Sequence, residues 1–177
     1  MPHIHTEPGQ HDYTVTGYII RTDTPEPLAL VHMHRKHHKL LPIGGHVELN
    51  ESPWQAIAHE LREESGYNLE DLMLLQPVSR IKHLSKVALH PYPLLLSTHD
   101  ITAEHFHSDI AYGFLASSDP SGEINDTEST DLRWLTRADL STIQDPDIYL
   151  NTKEAYEFMF TKCLKNWEKV ATSAFQL

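Results

Sequence analysis

The sequence contains a single cysteine, Cys163, and no long apolar run. One thiol cannot form an internal disulfide and has no partner cysteines for a zinc site, so we expect a buried small hydrophobe. No apolar stretch approaches the roughly 20 residues that cross a bilayer, and the polar first residues lack the basic and then apolar order of a signal peptide. We therefore expect no membrane association and a cytoplasmic location.

Basic residues are also scarce. Lys and Arg total 14 against 25 Asp and Glu, which gives a formal net charge of -11. This surplus repels a polyanion at long range, so an extended nucleic-acid surface is not expected. A small phosphorylated partner stays compatible, because metal ions and a few local cations reverse the potential inside one pocket. The length fits one domain over residues 1–177 and leaves open whether the chain forms a homodimer.

Residue patterns predict a mixture of strands and helices. A polar lead, residues 1–11, precedes strands over 13–20 and 28–33, a polar hairpin loop over 34–39 and a strand over 40–43. Further strands are predicted over 72–77, 81–89, 94–97, 107–116 and 132–135. A short helix is predicted over 136–143, and an amphipathic C-terminal helix over 152–170.

The best-marked helix follows the first group of strands. Ser52 is a candidate N-cap, Pro53 occupies the first helical position, Gln55 completes a capping box and Gly66 ends the helix. Apolar residues recur at helical spacing and predict a face packed against a sheet; they are Trp54, Ile57, Ala58 and Leu61.

Three acidic residues, Glu60, Glu63 and Glu64, share one edge of this helix, in a sector about 100° wide beside the apolar stripe. Like charges at this spacing repel, and the helix dipole disfavours Glu in the last turn by about 0.3 to 1 kcal/mol. A hard divalent cation would offset both effects, because Mg²⁺ and Mn²⁺ prefer carboxylate oxygens. From the charges alone, a solvated acidic face relieved by His59 and Arg62 is the competing interpretation.

The pattern around these acids decides between the two interpretations. Residues 45–67 closely resemble the Nudix box, G-x5-E-x7-R-E-U-x-E-E-x-G-U, where U is apolar. Six fixed positions and one apolar position match at the right spacing: Gly45, Glu51, Glu60, Leu61, Glu63, Glu64 and Gly66. His59 stands where the family has Arg, and Tyr67 is a milder change at the last apolar position. Histidine can still hydrogen-bond a carboxylate but lacks the bidentate fork of Arg.

The resemblance implies an α/β (α+β) fold of the Nudix type, an α/β/α sandwich with a central mixed sheet on which the carboxylate helix and the C-terminal helices pack. It implies Mg²⁺-dependent hydrolysis of a diphosphate linkage, with Mn²⁺ as a substitute, in a nucleoside diphosphate derivative or a related small phosphorylated compound. Glu60, Glu63 and Glu64 would bind the metal with the carbonyl of Gly44, and Glu51 would support the loop.

Several further residues are candidates for the site. Glu60 is the first choice for the base that takes a proton from water, and Glu128, in a polar turn, is the second. Arg35 and Lys39 are placed to approach substrate phosphates from the hairpin loop, although a solvated loop also explains them. Alternation on a strand puts His105, His107 and Asp109 on one face, where His107 is a candidate substrate contact and a structural role competes.

Two other functions are compatible with the same fold. A non-catalytic ligand-binding or regulatory domain is favoured only by His59 at the Arg position, and the retention of every Glu in the box speaks against it. Isomerisation of an isoprenoid diphosphate uses an active-site cysteine in the family, and Cys163 lies far from the box in the sequence.

Overall fold

The computed structural model describes residues 11–176, and its centre is a nine-stranded mixed sheet. The strands run in the order β3-β2-β1-β7-β5-β9, while β4 pairs with β1, β6 with β7 and β8 with β2. Strands β1 and β7 are parallel, and the other pairs of strands are antiparallel. The nine strands are β1 His11–Arg21, β2 Leu28–Met33, β3 Leu40–Leu41, β4 Ile43–His46, β5 Leu72–Gln76, β6 Leu95–Thr102, β7 His105–Ala116, β8 Leu132–Thr136 and β9 Glu168–Ala171.

The two central strands each pair with two different strands along one edge. The first half of β1 pairs with β4 and its end pairs with β2, while β7 pairs first with β6 and then with β5. The sheet therefore divides around the β1 and β7 pair into a β4-β1-β7-β6 part and a β2-β1-β7-β5 part. Because successive side chains of a strand point to opposite faces of the sheet, β4 contributes residues to both faces.

Helices cover both faces of the sheet. Helix α1, Pro53–Ser65, packs on one face, where Trp54, Ile57 and Leu61 join a core with β1 and β7. Helix α2, Arg137–Thr142, and helix α3, Leu150–Phe158, contribute to a second core on the opposite face. Helix α3 continues through a wider turn, Met159–Cys163, in which Cys163 is fully buried. The predicted α/β/α sandwich with a central mixed sheet is confirmed.

Both ends of α1 form as the sequence predicts. The Ser52 hydroxyl accepts a hydrogen bond from the Gln55 N–H, and the Gln55 side chain accepts one from the Ser52 N–H at 2.9 Å. Gly66 ends the helix in the left-handed conformation, with φ of 74°, and donates its N–H to the carbonyl of Arg62. The helix therefore presents its carboxylates from a rigid, capped element.

The predicted strand over residues 81–89 is wrong. The structure has no helix or strand in this segment, and its apolar residues are largely exposed, with Ile81 at 53% and Val87 at 61%. Strands β5 and β6 already occupy the outer edge of β7. This segment therefore has no free edge of β7 on which to pair.

The predicted C-terminal helix over residues 152–170 is wrong at its end. The helical part stops at Asn166, and Glu168–Ala171 instead forms β9, which pairs antiparallel with β5 between Met73 and Gln76. Without β9, the backbone groups on this edge of β5 would lack sheet partners, and the hydrogen bonds of the new strand outweigh the weak helical preference of four residues.

Two further predictions differ in extent: β6 continues to Thr102, past the predicted strand over 94–97, and the predicted strand over 40–43 is divided into β3 and β4. Differences at the remaining boundaries are small. Strand β1 begins at His11, whereas the sequence predicts a polar lead to residue 11 and a strand from residue 13, and β7 begins two residues before its predicted start. His3 and His5 lie outside the described residues. Within residues 11–176, no helix combines the length and apolar character that crossing a bilayer requires.

Gly66 gives a test of how α1 is terminated. A Cβ at this position would lie 2.8 Å from the carbonyl oxygen of Gly122. The substituted residue would also have to keep the left-handed backbone conformation of Gly66. We expect Gly66→Ala to lower the free energy of unfolding by about 1 to 3 kcal/mol. Chemical denaturation measures the change, and Glu70→Ala, at an exposed nearby position, is the control. Equal stability of Gly66→Ala and the wild type would contradict this account.

Candidate active site

The carboxylates of Glu60 and Glu64 are buried between α1 and strand β4. Their exposed fractions are 6% and 4%. The N–H of Gly44 donates a hydrogen bond of 2.8 Å to Glu64 Oε2. The Glu60 carboxylate lies directly against Gly45, where any side chain would overlap it. The missing side chain of Gly45 therefore makes room for the Glu60 carboxylate, and the backbone N–H of Gly44 holds the Glu64 carboxylate.

Burial changes the acid-base properties of both groups. Burial raises the pKa of Glu60 to about 7, an effect that His59 opposes and that the charges of Glu63, Glu128 and Glu51 reinforce. Burial also raises the pKa of Glu64 well above its usual value, against the hydrogen bond from Gly44. Two carboxylates held in a water-poor space carry a high cost as anions, and a cation bound between them would relieve that cost.

Glu63 has different partners from the other two acids. His59 Nε2 lies 3.1 Å from Glu63 Oε1, one helical turn away. The side-chain amide of Asn125 donates to the same oxygen at 3.4 Å, and the backbone N–H of Asn125 donates to the Glu63 carbonyl at 2.8 Å. His59, in place of the family's Arg, thus contacts a carboxylate of the trio, while the Glu51 carboxylate accepts the N–H of Glu48 at 2.9 Å.

The segment that carries Glu128, residues 120–131, docks on the end of α1. Its Gly122 N–H donates to the Gly66 carbonyl at 2.9 Å, and Asn125 binds Glu63 as described. Arg35 donates to the carbonyl of Thr127, which ties the hairpin loop to this segment. The charge of Glu128 raises the pKa of both Glu60 and Glu64, so the second candidate base lies within electrostatic range of the buried carboxylates.

Two of the predicted substrate contacts, Lys39 and His107, have other neighbours in the structure. The Lys39 ammonium sits 4.4 Å from the centre of the Tyr149 ring. His107 lies on the face of the sheet opposite α1, because Ile110, Tyr112 and Phe114 of the same strand pack in the α1 core and His107 alternates with them. The structure places His107 beside Asp12 and His105 instead of beside the glutamates.

The sequence analysis missed two residues next to the glutamates, His32 and Asn125. His32 is 1% exposed, and its Nε2 lies 3.8 Å from Glu64 Oε2. Burial lowers the pKa of His32 to about 4, so it is neutral at pH 7 and does not compensate the charge of Glu64. A histidine inside the apolar strand LALVHM is the sequence signal that would have indicated it.

The donors present fit a hard divalent ion. Glu60 and Glu64 supply buried carboxylate oxygens beside β4, and Glu63 and Glu128 add charge at the edge of the same space. Glu63 is held by His59 and Asn125, and it forms no group of ligand atoms within 4.8 Å with the other two; among residues 11–176 that spacing is met by Asp12, His105 and His107. Metal binding by all three glutamates would therefore require their side chains to rearrange.

The fold and the site define an α/β sandwich protein with an acidic helix packed against a Gly-Gly strand. The chain matches the family model of the NUDIX domain over residues 11–158. It therefore belongs to the NUDIX family, as the sequence pattern indicates.

Solved structures agree with this assignment. A Nudix-family hydrolase from Clostridium perfringens is 29% identical, with a TM-score of 0.66, over 84% of this chain and 97% of that one. The Ap4A hydrolase of C. elegans is 16% identical, with a TM-score of 0.60, over 84% and 95%. The NUDIX domain of Shewanella oneidensis NrtR, solved with ADP ribose, is 15% identical, with a TM-score of 0.62, over 86% and 90%. No curated protein sequence gives a significant match.

The raised pKa of Glu60 predicts how stability depends on pH. The folded pKa of about 7 exceeds the ordinary value of 4.5, so the stabilising contribution of the protonated group is present below about pH 4.5 and is lost as pH rises through 7. With divalent ions chelated, Glu60→Gln should therefore be more stable than the wild type by roughly 1 to 3 kcal/mol at about pH 8. The difference should shrink toward about pH 5.

Thermal or chemical denaturation at both pH values measures this difference. Glu154→Gln is the control, because Glu154 is exposed on α3 and the change removes the same charge. A stability difference between Glu60→Gln and the wild type that is equal at both pH values would contradict the burial argument.

Proposed function

We propose that the protein is a Mg²⁺-dependent pyrophosphohydrolase that cleaves a diphosphate linkage in a nucleoside diphosphate derivative or a related small phosphorylated compound. The observation that supports it most is the pair of buried carboxylates, Glu60 and Glu64, held against Gly44 and Gly45. Burying two acids costs stability, and membership of a family of hydrolases supplies a reason for that cost. The proposal takes residues 1–177 as one catalytic domain.

The metal site would use Glu60, Glu63 and Glu64, together with the carbonyl of Gly44. When bound, Mg²⁺, or Mn²⁺ in its place, supplies charge stabilisation at the phosphoryl oxygens and lowers the pKa of an attacking water. Glu51 supports the loop before α1 by accepting the N–H of Glu48. His59 and Asn125 position the Glu63 carboxylate from two sides.

The chain's own residues would handle the proton of the attacking water. Glu60 is the first choice for the group that accepts it, because its carboxylate is buried at the centre of the acidic space. Glu128 is the second choice, since it is less buried and approaches from the docked segment. Arg35 and Lys39 would meet the phosphates of the substrate at the entrance, with Lys39 moving from the ring of Tyr149.

The expected substrate is nucleotide-like. The similar structures include one named as an Ap4A hydrolase and one solved with ADP ribose. We place the enzyme in the cytoplasm, acting on a free small molecule and not on a membrane or a nucleic-acid surface, as the net charge of -11 favours. Homodimer formation is compatible with this proposal and not required by it.

Phosphate release in the presence of Mg²⁺ tests the function directly. The substrates to compare are nucleoside triphosphates, nucleotide sugars, dinucleoside polyphosphates and capped RNA. Turnover of at least one member, lost on chelation of Mg²⁺, is the expected result. Tight binding of one member with no turnover would overturn the proposal in favour of a ligand-binding regulatory domain.

Glu63→Gln should abolish Mg²⁺-supported turnover, with a fall of at least roughly a hundredfold in kcat, because it removes an anionic ligand at the site of charge development. The protein should stay folded, since the Glu63 side chain is only partly buried and glutamine keeps its shape. Steady-state kinetics and circular dichroism measure the two effects. Glu154→Gln removes the same charge at an exposed position and should keep full activity; wild-type turnover in Glu63→Gln would contradict the assigned role.

His59→Arg should preserve or raise kcat. Arginine at this position is one helical turn from Glu63, keeps its charge at every working pH and can donate two parallel hydrogen bonds to a carboxylate. The measurement is kcat and KM across neutral pH, with His83→Arg, an exposed substitution outside α1, as the control. Complete loss of activity in His59→Arg alone would show that His59 acts in some other way.

A further inference from the structure

A second group of metal-binding side chains lies on the face of the sheet opposite α1. Asp12, on β1, and His105 and His107, on β7, bring one ligand atom each to within 4.8 Å of one another. Asp12 Oδ2 lies 3.3 Å from His105 Nε2 and 3.7 Å from Nε2 of His46, on β4. Three side chains from two strands therefore meet, and His46, from a third strand, adjoins them through Asp12.

The strand register explains why these residues meet. Asp12 pairs directly with His107 in the parallel β1 and β7 ladder, and His105 stands two residues earlier on the same face of β7. Across the other edge of β1, His46 pairs with Thr14, which places the His46 ring 4.9 Å from the His107 ring. The cluster is thus fixed by backbone pairing and not by a mobile loop.

The chemistry of the cluster differs from that of the glutamates. Imidazole nitrogens with one carboxylate are typical ligands of zinc and related transition ions, whereas Mg²⁺ prefers oxygen ligands. Ligand atoms around a tetrahedral zinc, bonded at about 2.0 to 2.1 Å, lie roughly 3.3 Å apart. The Asp12 to His105 distance already has this value. The Asp12 to His46 distance is 3.7 Å, and the His107 ligand atom lies within 4.8 Å of those of Asp12 and His105, so these two rings would have to move closer to a shared ion.

Burial separates this cluster from an ordinary surface group. Asp12 is 1% exposed, and the side chains of His46 and His105 are each 13% exposed. A buried carboxylate is costly as an anion unless a positive charge lies beside it. A divalent ion bound by the neighbouring imidazoles would supply such a charge.

We propose that Asp12, His46, His105 and His107 form a binding site for a zinc-type divalent transition ion. The ion would join the first half of β1 to β4 and β7. Its ligands reach it from the opposite face to Glu60, so it is a site separate from the Mg²⁺ site of the proposed hydrolase. Its existence does not depend on that activity.

The neighbouring polar residues suit such a site. Asp109, the next residue along this face of β7, accepts hydrogen bonds of 2.9 Å from the hydroxyls of Thr14 and Thr16. His99, on β6, pairs with His107, and their rings lie 5.4 Å apart. His99 therefore packs against one of the proposed ligands, and Asp109 continues the polar row on this face of the sheet.

Metal titration of the full-length, tag-free chain tests the proposal. After treatment with a chelator, the protein is titrated with Zn²⁺ against a chromophoric competitor, and with Co²⁺ while its visible absorption is recorded. The wild type should bind one equivalent of Zn²⁺ and give the intense spectrum of a four-coordinate cobalt ion. Glu60→Gln should bind Zn²⁺ in the same way, because its substitution alters only the opposite face.

Variants of the ligands should weaken Zn²⁺ binding by at least about tenfold. The variants are Asp12→Asn and His105→Ala, and the control is His83→Ala, which removes an exposed histidine outside the cluster. Zn²⁺ should raise the Tm of the wild type, Glu60→Gln and His83→Ala, and it should raise that of the two ligand variants much less.

The Zn²⁺ titrations of the wild type and of the control test the proposed site even if a ligand variant does not fold. Absence of competition for Zn²⁺ by the wild type would overturn the proposal. Loss of binding in Glu60→Gln, with retention in Asp12→Asn, would also overturn it by assigning the ion to the glutamates of α1.

Discussion

The approach of the Glu60 and Glu64 carboxylates to the backbone of β4 is the constraint on which the site depends. Two acids with 6% and 4% exposure are held where burial disfavours their charged forms. That arrangement is tolerated because Gly45 leaves room for the Glu60 carboxylate and the Gly44 N–H donates a hydrogen bond to Glu64. Helix α1 is anchored beneath them by a large apolar core, which supplies the stability that the buried acids remove.

The docked segment, residues 120–131, connects the end of α1 to the rest of the site. The Gly122 N–H donates a hydrogen bond to the Gly66 carbonyl, and the Asn125 side chain donates one to the Glu63 carboxylate. The Arg35 guanidinium donates one to the Thr127 carbonyl. These contacts join the capping glycine of the helix to the segment that carries Glu128. The same turn that ends the helix therefore positions an acid which is distant in the sequence.

Strand β4, which is four residues long, contributes residues to groups on both faces of the sheet. Gly45 faces α1 and the glutamates, while His46 turns to the opposite face and approaches Asp12. The alternation of side chains along a strand makes this division automatic. It also keeps an oxygen-rich group and an imidazole-rich group apart although their residues are neighbours in the chain.

The sequence by itself determined the parts of this protein that depend on local chemistry. The caps at Ser52 and Gly66, the apolar stripe of α1 and the edge that carries Glu60, Glu63 and Glu64 all follow from helical spacing, and the box pattern identified the family. Only the tertiary structure decided which residues from distant strands meet. Strand β9 forms because β5 has an edge to fill, residues 81–89 stay irregular because β7 has none, and Asp12 joins His105 and His107 through the parallel register of β1 and β7. Strand pairing is set by competition for edges over long sequence separations, and no local pattern records its outcome.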